Sequence, residues 1–286
     1  MSATYKIAVA QIDIRFAEPA ANLARMLQTL EETGVAGARL TVFPECSLTG
    51  YCFDSLEEAM PVAQTAPGPA TDELARACER IGTFCIFGML ERCGDRLFNS
   101  CVLVGPGGVL GVYRKIHLPY LGIDRFTTPG DRPFAVQAAG EARVGMHICY
   151  DGAFPEAARV MALDGADIIV LPTNWPPGAE CMADFVVQSR ALENAVFFVA
   201  CNRVGEERGF RFIGQSKICG TNGAVLAAAN HDREEILWAD LDLEQARRKH
   251  IVRVPLKHEI NRFADRRPEM YARLLDAVTE RRPELP

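Results

Sequence analysis

The segment HICYDGAFPE, residues 147–156, places a cysteine between an apolar run typical of a strand and the start of an amphipathic helix. The thiol of Cys149 could serve as a nucleophile, as a metal ligand or as one more buried thiol in a chain with ten cysteines. A helix N-terminus favours a thiolate through its dipole and free N–H groups, and the N–H after the cysteine can donate to an oxyanion. The position alone supports a nucleophile and a buried core thiol equally.

A cysteine that attacks a carbonyl group needs a second residue to accept its proton, and histidine is the usual choice. His147 precedes Cys149 by two residues and would share a face with it on a strand. The other histidines stand in no recognisable Cys–His signature; they are His117, His231, His250 and His258. One hypothesis is therefore a Cys–His hydrolase that uses His147.

The cysteines and glycines give no sign of a metal or nucleotide site. The cysteines are irregularly spaced, with no C-x-x-C and no Cys/His spacing of a zinc site. The glycine-rich turn at residues 106–108 lacks the context of a phosphate-binding loop. No metal, nucleotide or other cofactor is predicted, and most of the cysteines are expected to be buried.

Apolar runs and helical periodicity on both sides of Cys149 predict an alternation of strands and helices. Strands are predicted at residues 6–14, 39–45, 83–90, 97–105, 109–115, 142–149, 166–173, 195–201 and 234–242. Helices are predicted at residues 19–34, 71–82, 154–165 and 182–194, with a hairpin over 211–229 and one short amphipathic helix within 265–286. No break in composition divides the chain, so the pattern indicates a single α/β domain over residues 1–286.

Two segments of the chain resemble each other: GARLTVFPE at residues 37–45 and GADIIVLPT at residues 165–173. Both are typical of a buried strand that ends near a proline, and the ligands of layered α/β folds gather at the carboxyl ends of such strands. Glu45 and the loop after the second segment, with Asn174 and Trp175, are therefore expected at comparable positions. Because short buried strands look alike, a chance similarity is the alternative.

The bulk composition excludes some classes of partner. The chain has 286 residues, 49% hydrophobic and 24% charged, with a formal net charge of -6. These values are ordinary for a soluble globular protein and argue against nucleic acid or an anionic membrane as the main partner. No apolar run has the length of a membrane span, and the N-terminus shows no export signal. A cytoplasmic location with reduced thiols is the expectation.

Three motifs in order make the sequence similar to a known family. VFPECSLTGY, YRKIHLP and HICYDGAFPE stand in the order and approximate spacing of the carbon–nitrogen hydrolase family, also called the nitrilase superfamily. The resemblance runs over nearly the whole chain and includes SRALENAVFFVACNRVG, FIGQSKICGTNGAVLA and NRFADRRPEMY. It implies a four-layer α-β-β-α sandwich and a Glu–Lys–Cys triad formed by Glu45, Lys115 and Cys149.

The resemblance assigns a role to each residue of this triad. Glu45, with a pKa raised in a partly buried pocket, would take the thiol proton, protonate departing ammonia and later activate water. Lys115 would favour the thiolate and stabilise the negative oxygen of a tetrahedral intermediate, and Cys149 would form a thioester that water hydrolyses. The backbone N–H of Tyr150 is the expected second oxyanion donor. A surface carboxylate and a solvated lysine at a strand end are the alternative interpretations of Glu45 and Lys115.

The substrate side departs from the family pattern, which usually has a second glutamate shortly before a Pro-Gly pair. No glutamate lies between the lysine motif and the Pro-Gly pair here, and Asp124 is the only carboxylate there. Asp124 either replaces the missing glutamate with a shorter reach or only pairs with Arg125. Tyr51, Asn174 and Trp175 would line the acyl pocket or only pack beneath a loop.

The residues after the cysteine, C-Y-D, resemble the amidase and carbamoylase branches of the family, whereas nitrile-hydrolysing relatives tend to show C-W-E. The resemblance therefore implies hydrolysis of a small linear amide, with N-carbamoyl hydrolysis of a ureido substrate to carbon dioxide and ammonia as the alternative. A nitrilase and a non-catalytic scaffold are further alternatives. The resemblance also implies a homodimer or a larger even assembly, with residues 250–286 as a tail that reaches the partner.

Overall fold

The computed structural model describes residues 4–229 and 232–277. Contacts within the chain divide it into two units, one that ends at Arg247 and one that begins at Arg248. Within the described ranges, no helix is long and apolar enough to cross a membrane. A single folding domain over residues 1–286 stays a prediction.

The described residues form strands, helices and several short turns. The strands are β1 (Tyr5–Gln11), β2 (Leu40–Val42), β3 (Phe84–Cys93), β4 (Arg96–Gly105), β5 (Gly108–Arg114), β6 (Val136–Ala139), β7 (Ala142–Met146), β8 (Ile168–Thr173), β9 (Phe197–Asn202), β10 (Glu206–Glu207), β11 (Phe210–Arg211), β12 (Lys217–Cys219), β13 (Val225–Ala228), β14 (Glu235–Leu241), β15 (Ile251–Val254) and β16 (His258–Ile260). The helices are α1 (Pro19–Val35), α2 (Leu56–Ala59), α3 (Pro69–Ile81), α4 (Pro155–Leu163), α5 (Val187–Asn194) and α6 (Leu243–Arg247). The 3-10 turns are Met60–Val62, Gly122–Arg125, Cys149–Ala153, Pro268–Met270 and Ala272–Leu275, and Met182–Val186 is a π-helical turn.

The first sheet has the order β14-β1-β2-β3-β4-β5, parallel from β1 to β3 and antiparallel elsewhere. Helices α1 and α3 pack against one of its faces. Helix α1 begins at Pro19, where the missing N–H would have no helical partner. It buries Leu23, Met26 and Leu30 at helical spacing. These side chains join Phe87 of β3 in one core cluster, so helix and sheet share a single apolar layer.

The second sheet has the order β13-β12-β9-β8-β7-β6, parallel from β7 to β9 and antiparallel at both edges. Helices α4 and α5 pack against it. Its strands β8 and β9 are buried along their whole length and rich in β-branched and aromatic residues, as expected for parallel strands covered on both faces. The edge strand β6, with the weakly apolar sequence VQAA, adds to the strands predicted from the sequence.

The remaining faces of the two sheets pack against each other. The hydroxyl of Tyr5 in β1 donates to the carbonyl of Ala139 in β6 at 3.1 Å. The Cys201 thiol in β9 lies 3.3 Å from the carbonyl oxygen of Val42 in β2. The layers therefore follow in the order helix, sheet, sheet, helix, and the α-β-β-α sandwich implied by the resemblance is confirmed.

The second unit contains the hairpin of β15 and β16, followed by 3-10 turns. The amphipathic helix predicted within residues 265–286 is wrong for residues 265–277, and the rest of that segment lies outside the described residues. The apolar side chains Met270, Leu274 and Leu275 are exposed. A short helix without a packed apolar face is only marginally stable, which accounts for the isolated turns.

Candidate active site

Glu45 lies just beyond β2, where its backbone is held over the neighbouring strand β3. The Gly88 N–H donates to the Pro44 carbonyl at 3.1 Å, and a Cβ added to Gly88 would collide with the backbone of Glu45 and Cys46. Glycine in β3 therefore lets the Glu45 segment lie directly on the sheet. The Glu45 side chain is buried, which excludes its interpretation as a surface carboxylate.

Lys115 follows the last residue of β5 and continues its hydrogen-bond ladder, because its N–H donates to the Asn99 carbonyl at 2.8 Å. Its ammonium Nζ lies 2.7 Å from Glu45 Oε1 and 2.6 Å from Asp124 Oδ2. All three of these side chains are inaccessible to solvent, so the interpretation of Lys115 as a solvated lysine is excluded. One buried cation thus faces two buried carboxylates.

Asn99 and Tyr51 complete a hydrogen-bonded cluster around that cation. The Asn99 amide Nδ2 donates to Glu45 Oε1 at 2.7 Å and to Asp124 Oδ1 at 2.9 Å. The Tyr51 hydroxyl lies 2.8 Å from Asp124 Oδ2 and 3.1 Å from the Leu121 carbonyl oxygen. Sequence reasoning missed Asn99, although an amide inside the apolar run of β4 is a signal that could have found it. The lysine cluster is defined as Glu45, Tyr51, Asn99, Lys115 and Asp124.

Asp124 is the residue for which two interpretations were open. The guanidinium of Arg125 donates to the Gly122 carbonyl at 2.9 Å and to the Phe53 carbonyl at 3.0 Å. The Asp124 carboxylate turns the other way and contacts Lys115. Pairing of Asp124 with Arg125 is therefore excluded, and its carboxylate belongs to the lysine cluster.

Burial and the crowding of charge shift the ionisation of the lysine cluster. Burial raises the pKa of Glu45, Lys115 lowers it and Asp124 raises it, and the net direction is upward. Burial lowers the pKa of Lys115, but the carboxylates of Asp124 and Glu45 more than offset this and hold it well above its usual value. Lys115 is therefore a permanent cation, and Glu45 is a stronger base than an exposed glutamate.

The two carboxylate oxygens of Glu45 have different surroundings. Oε1 accepts hydrogen bonds from Lys115 and Asn99, whereas Oε2 is buried and has no hydrogen-bond partner among the described residues. A buried acceptor without a partner is uncommon in native proteins. Oε2 is thus the oxygen of Glu45 that is available to a proton donor.

Cys149 forms an elbow between β7 and α4. Its φ of +47° lies in the left-handed region, which is strained for a residue with a side chain. Ile148 is still extended, with φ -127° and ψ 124°, so the chain leaves the strand conformation at Cys149, whereas the paired strand β7 ends at Met146 instead of at residue 149 as predicted. The 3-10 turn Cys149–Ala153 separates the cysteine from α4, which begins at Pro155, within the predicted residues 154–165.

Burial raises the pKa of the Cys149 thiol to about 12, and the carboxylate of Glu45 adds to the rise. Lys115 acts in the opposite direction, as do interactions with the Thr173 side chain and the Asn174 backbone at the end of β8. The resting thiol is therefore protonated at neutral pH. The charges of Glu45 and Lys115 both act on its sulfur, so the three residues lie within electrostatic range of one another, and their roles as a triad stay a prediction.

The remaining candidate residues lie around the elbow. The ring of Tyr150 is 37% exposed and packs edge-on against Phe154, and the oxyanion role of its N–H stays a prediction. Asn174 is fully buried, and its side-chain amide has no partner among the residues that the structure describes. Trp175 is buried, and its backbone N–H donates to Asn202 Oδ1 at 2.9 Å, which holds the loop after β8 in place.

His147 makes no hydrogen bond to Cys149. Its ring is fully buried and packs edge-on against Phe198, with ring centroids 5.5 Å apart. Neither ring nitrogen has a partner in the described part of the chain. Burial lowers the pKa of His147 to about 4. A neutral, buried imidazole without a hydrogen bond to the thiol argues against the Cys–His hypothesis.

No metal site is present within residues 4–229 and 232–277, where no three His, Cys, Asp or Glu side chains form a group that could hold an ion. The two carboxylates of the lysine cluster, Glu45 and Asp124, already share the Lys115 ammonium. All ten cysteines are unpaired, and seven of them are buried, as expected for small apolar side chains.

Comparison with known proteins places the chain in a family. The Carbon-nitrogen hydrolase model matches residues 6–250. A nitrilase of Pyrococcus abyssi is 41% identical over 94% of this chain and 99% of that protein. An N-carbamoylputrescine amidase of Solanum lycopersicum is 31% identical over 89% of each chain. The crystal structure of an amidase from Nesterenkonia sp. superposes with a TM-score of 0.78 at 23% identity, over 96% of this chain and 98% of that chain, so the two share a fold. The chain therefore belongs to the carbon–nitrogen hydrolase family and is an enzyme of that class.

Proposed function

We propose that this chain is a cysteine-dependent amidase that hydrolyses a small linear amide to a carboxylic acid and ammonia through a thioester on Cys149. One observation carries the proposal: a buried carboxylate with a free oxygen contacts a buried ammonium, and the charges of both act on the Cys149 thiol. These are the base, the electrostatic stabiliser and the nucleophile that acyl transfer requires. The N-carbamoylputrescine amidase among the relatives supports an amide-type substrate.

Glu45 Oε2 is the proposed proton acceptor. Because the thiol pKa is about 12, Cys149 rests as a neutral thiol and needs a base when its sulfur attacks the carbonyl carbon. Oε1 is occupied, so Oε2 takes the proton, and the raised pKa of Glu45 makes the transfer less unfavourable. The carboxylic acid then protonates the departing ammonia. The carboxylate that remains activates the water that hydrolyses the thioester.

Lys115 is the proposed stabiliser of the tetrahedral oxyanion. Its ammonium keeps its charge throughout the reaction, since two carboxylates hold its pKa high. The N–H of Tyr150, the first residue after the nucleophile, is the proposed second donor. The backbone of Asn174, the residue after β8, interacts with the Cys149 thiol, and its buried side-chain amide is proposed to contact the substrate, with Trp175 as the adjoining wall.

Asp124 is proposed to replace the family's second glutamate by holding Lys115 in place, and Tyr51 to hold Asp124. We expect Asp124→Asn to lower kcat about 100-fold, because the ammonium loses one of the two groups that fix it. The substitution also removes a charge that raises the pKa of Glu45. The acidic limb of the profile of kcat/KM against pH should therefore move to lower pH, and this profile on one amide substrate checks the prediction.

Arg125→Gln is the matched control for this prediction. Arg125 is adjacent in sequence and was the alternative partner, but its hydrogen bonds go to two backbone carbonyls and to the Asp54 carboxylate, all outside the lysine cluster. Its substitution should leave kcat and the acidic limb unchanged. An Asp124→Asn enzyme with the rate of the unsubstituted chain, or equal effects in both variants, would contradict the role proposed for Asp124.

His147 is not part of the proposed mechanism. We expect His147→Asn to keep turnover within about threefold of the unsubstituted chain. It should also reduce the loss of stability in acid. The folded pKa of about 4 lies below the ordinary 6.5, so the stability from the neutral ring is present above pH 6.5 and is lost as the pH falls towards 4. Thermal unfolding of His147→Asn and of the unsubstituted chain across that range measures it. A turnover loss of about 100-fold would restore the Cys–His hypothesis.

N-carbamoyl amide hydrolysis is the second candidate, favoured by the N-carbamoylputrescine amidase among the relatives. Both reactions release ammonia, but only the carbamoyl reaction also releases carbon dioxide. A panel of simple amides and ureido compounds, with ammonia and carbon dioxide both measured, separates the two reactions. Nitriles in the same panel test nitrile hydrolysis, the reaction for which the Pyrococcus relative is named. Carbon dioxide from ureido compounds without turnover of simple amides would replace the amidase proposal. No turnover at all, with no selective alkylation of Cys149, would indicate a scaffold.

A homodimer or a larger even assembly is also proposed, with the tail from residue 250 at the interface. The hairpin of β15 and β16 exposes Val252, Val254 and Leu256, the last of them to 96%. Exposed apolar side chains grouped on one small element are typical of a surface that contacts another chain. Light scattering tests this proposal, and a monomer in solution would contradict it.

A further inference from the structure

Asp151 is a fully buried carboxylate to which the proposed mechanism gives no role. Its Oδ2 accepts hydrogen bonds from the Tyr113 hydroxyl at 2.8 Å and from the Ile148 N–H at 2.9 Å. Its Oδ1 accepts the His117 N–H at 3.1 Å and lies 2.7 Å from His117 Nδ1. The Asp151 carboxylate therefore accepts four hydrogen bonds.

The donors to Asp151 come from two different sheets. Tyr113 and His117 stand two residues before and two residues after Lys115, at the end of β5 in the first sheet. Asp151 stands two residues after Cys149, in the elbow that follows β7 of the second sheet. The Asp151 carboxylate therefore bridges the two sheets at the place where the ammonium and the thiol must meet.

The ionisation of Asp151 and the stacking of His117 both strengthen the hydrogen bonds between the two sheets. Burial raises the pKa of Asp151, but the hydrogen bond from His117, that from Ile148 and the charge of Lys115 hold it below its ordinary value, so the carboxylate is ionised. Hydrogen bonds to an ionised acceptor are stronger than neutral ones. The His117 ring also stacks on Phe154, with centroids 3.7 Å and planes 9° apart. This stacking keeps Nδ1 turned towards the carboxylate.

We propose that Asp151 is a positioning residue that fixes Lys115 relative to Cys149, with Tyr113 and His117 as its contacts on the lysine strand. The side-chain hydrogen bonds of Asp151 go to these contacts and to the elbow backbone, so it acts through other residues. The inference rests on the proposed function, in which Lys115 stabilises charge that develops beside the Cys149 sulfur. A displacement of about 1 Å between such groups can lower a rate about 100-fold.

Two buried tyrosines offer a matched pair of variants. Tyr113→Phe removes one contact of the bridge, while Tyr5→Phe removes another hydroxyl that links the two sheets, 3.1 Å from the Ala139 carbonyl oxygen. Tyr5→Phe loses one buried hydrogen bond, and Tyr113→Phe loses its bond to Asp151 together with a longer one of 3.3 Å from the Ile116 N–H. A structural role alone therefore predicts losses of stability in both variants and no selective effect of either on kcat. We expect Tyr113→Phe to lower kcat about tenfold with KM changed less than about threefold, and Tyr5→Phe to change neither.

Alkylation of Cys149 by iodoacetamide, followed by mass spectrometry, adds a measurement that needs no substrate. Because Lys115 favours the thiolate, a displaced ammonium slows alkylation at a fixed pH. Tyr113→Phe and Asp151→Asn should both slow it, and Tyr5→Phe should not. Asp151→Asn should lower kcat about 100-fold, because an amide cannot accept hydrogen bonds at both of its ends.

Equal kcat values and equal alkylation rates in the Tyr113 and Tyr5 variants would overturn the positioning role. So would parent-like values in a folded Asp151→Asn. If Asp151→Asn does not fold, the tyrosine pair decides alone. An unsubstituted chain that turns over no amide would contradict the proposed function instead, and the alkylation rates would still decide the role of Asp151.

Discussion

Cys149→Ala is expected to abolish amide hydrolysis, with kcat lowered by at least about 10⁴-fold. Without the sulfur no thioester forms, and only substrate binding and oxyanion stabilisation remain to accelerate direct attack by water. Ammonia release from an amide that the unsubstituted chain hydrolyses measures the loss. A thioester trapped on Cys149 in the unsubstituted chain would give the matching positive result.

The same substitution should leave the fold intact. Alanine retains the Cβ that makes the φ of +47° unfavourable, so both forms of the chain carry the same backbone strain at the elbow. Only one buried atom is removed, and the thermal midpoint should change by less than about 4 °C. Circular dichroism on heating checks this, and it separates a lost nucleophile from a lost structure.

Cys219→Ala is the matched control for the nucleophile. Cys219 is also a buried thiol, and it lies in β12 of the same sheet. Cys219 is not among the groups that shift the pKa of Glu45 or Lys115, so its substitution should leave the rate unchanged. Full activity in Cys149→Ala would contradict the proposed mechanism outright.

Much of the fold could be predicted because its centre consists of buried parallel strands, and because proline and glycine residues mark where neighbouring helices begin and end. Helix α1 begins at the predicted Pro19 and ends one residue beyond the predicted Gly34. Strand β8 lies within the predicted residues 166–173. A continuous apolar run and a proline at a helix start are local signals, so they can be recognised without knowledge of the rest of the chain.

The elbow shows what a local pattern does not contain. Residues 142–149 form one apolar run, yet strand pairing ends at Met146 and the backbone turns into the left-handed region at Cys149. The pattern of apolar residues in the sequence is the same whether the backbone continues as a strand or bends at Cys149. The bend depends on contacts with distant segments, such as the bridge from Asp151 to Tyr113, 38 positions away.

Only part of the candidate site could be predicted, because some of its contacts also join segments that are distant in sequence. Glu45, Lys115 and Cys149 stand in motifs that resemble a family, whereas Asn99 meets Glu45 across 54 positions of sequence and required the three-dimensional structure. That contact depends on how β4 pairs with its neighbours and on where Gly88 lets the Glu45 segment lie. The local sequence signals the contact between Asn99 and Glu45 only through the presence of a side-chain amide within an apolar strand.

Glu45→Gln is expected to lower kcat by about 10²–10⁴-fold and, at the same time, to make Cys149 easier to ionise. Glutamine keeps the shape of the side chain, and its carbonyl oxygen must stay at Oε1 to accept from Lys115 and Asn99. Its NH₂ group then stands at the position of Oε2, where it cannot accept a proton. The base is lost while the surrounding hydrogen bonds persist.

The effect on the thiol has the opposite sign because it depends on charge. The Glu45 carboxylate raises the pKa of Cys149, so its removal should lower that pKa from about 12 and move the pH midpoint of Cys149 alkylation downward. Lys115→Met removes the cation that lowers the same pKa, so the midpoint should move upward. Lys115→Met also leaves two carboxylates buried without a counter-charge, at a cost of about 3–5 kcal/mol in the free energy of unfolding.

Turnover and thiol ionisation are thus expected to separate in Glu45→Gln. If the enzyme needed only an ionised sulfur, this variant would carry more thiolate at a given pH and would be faster than the unsubstituted chain. If the sulfur must lose its proton to Oε2 during attack, and ammonia must later receive it, the variant is slower although its thiol is more acidic. A rate at or above that of the unsubstituted chain, or an alkylation midpoint that rises, would show that Glu45 is not the base.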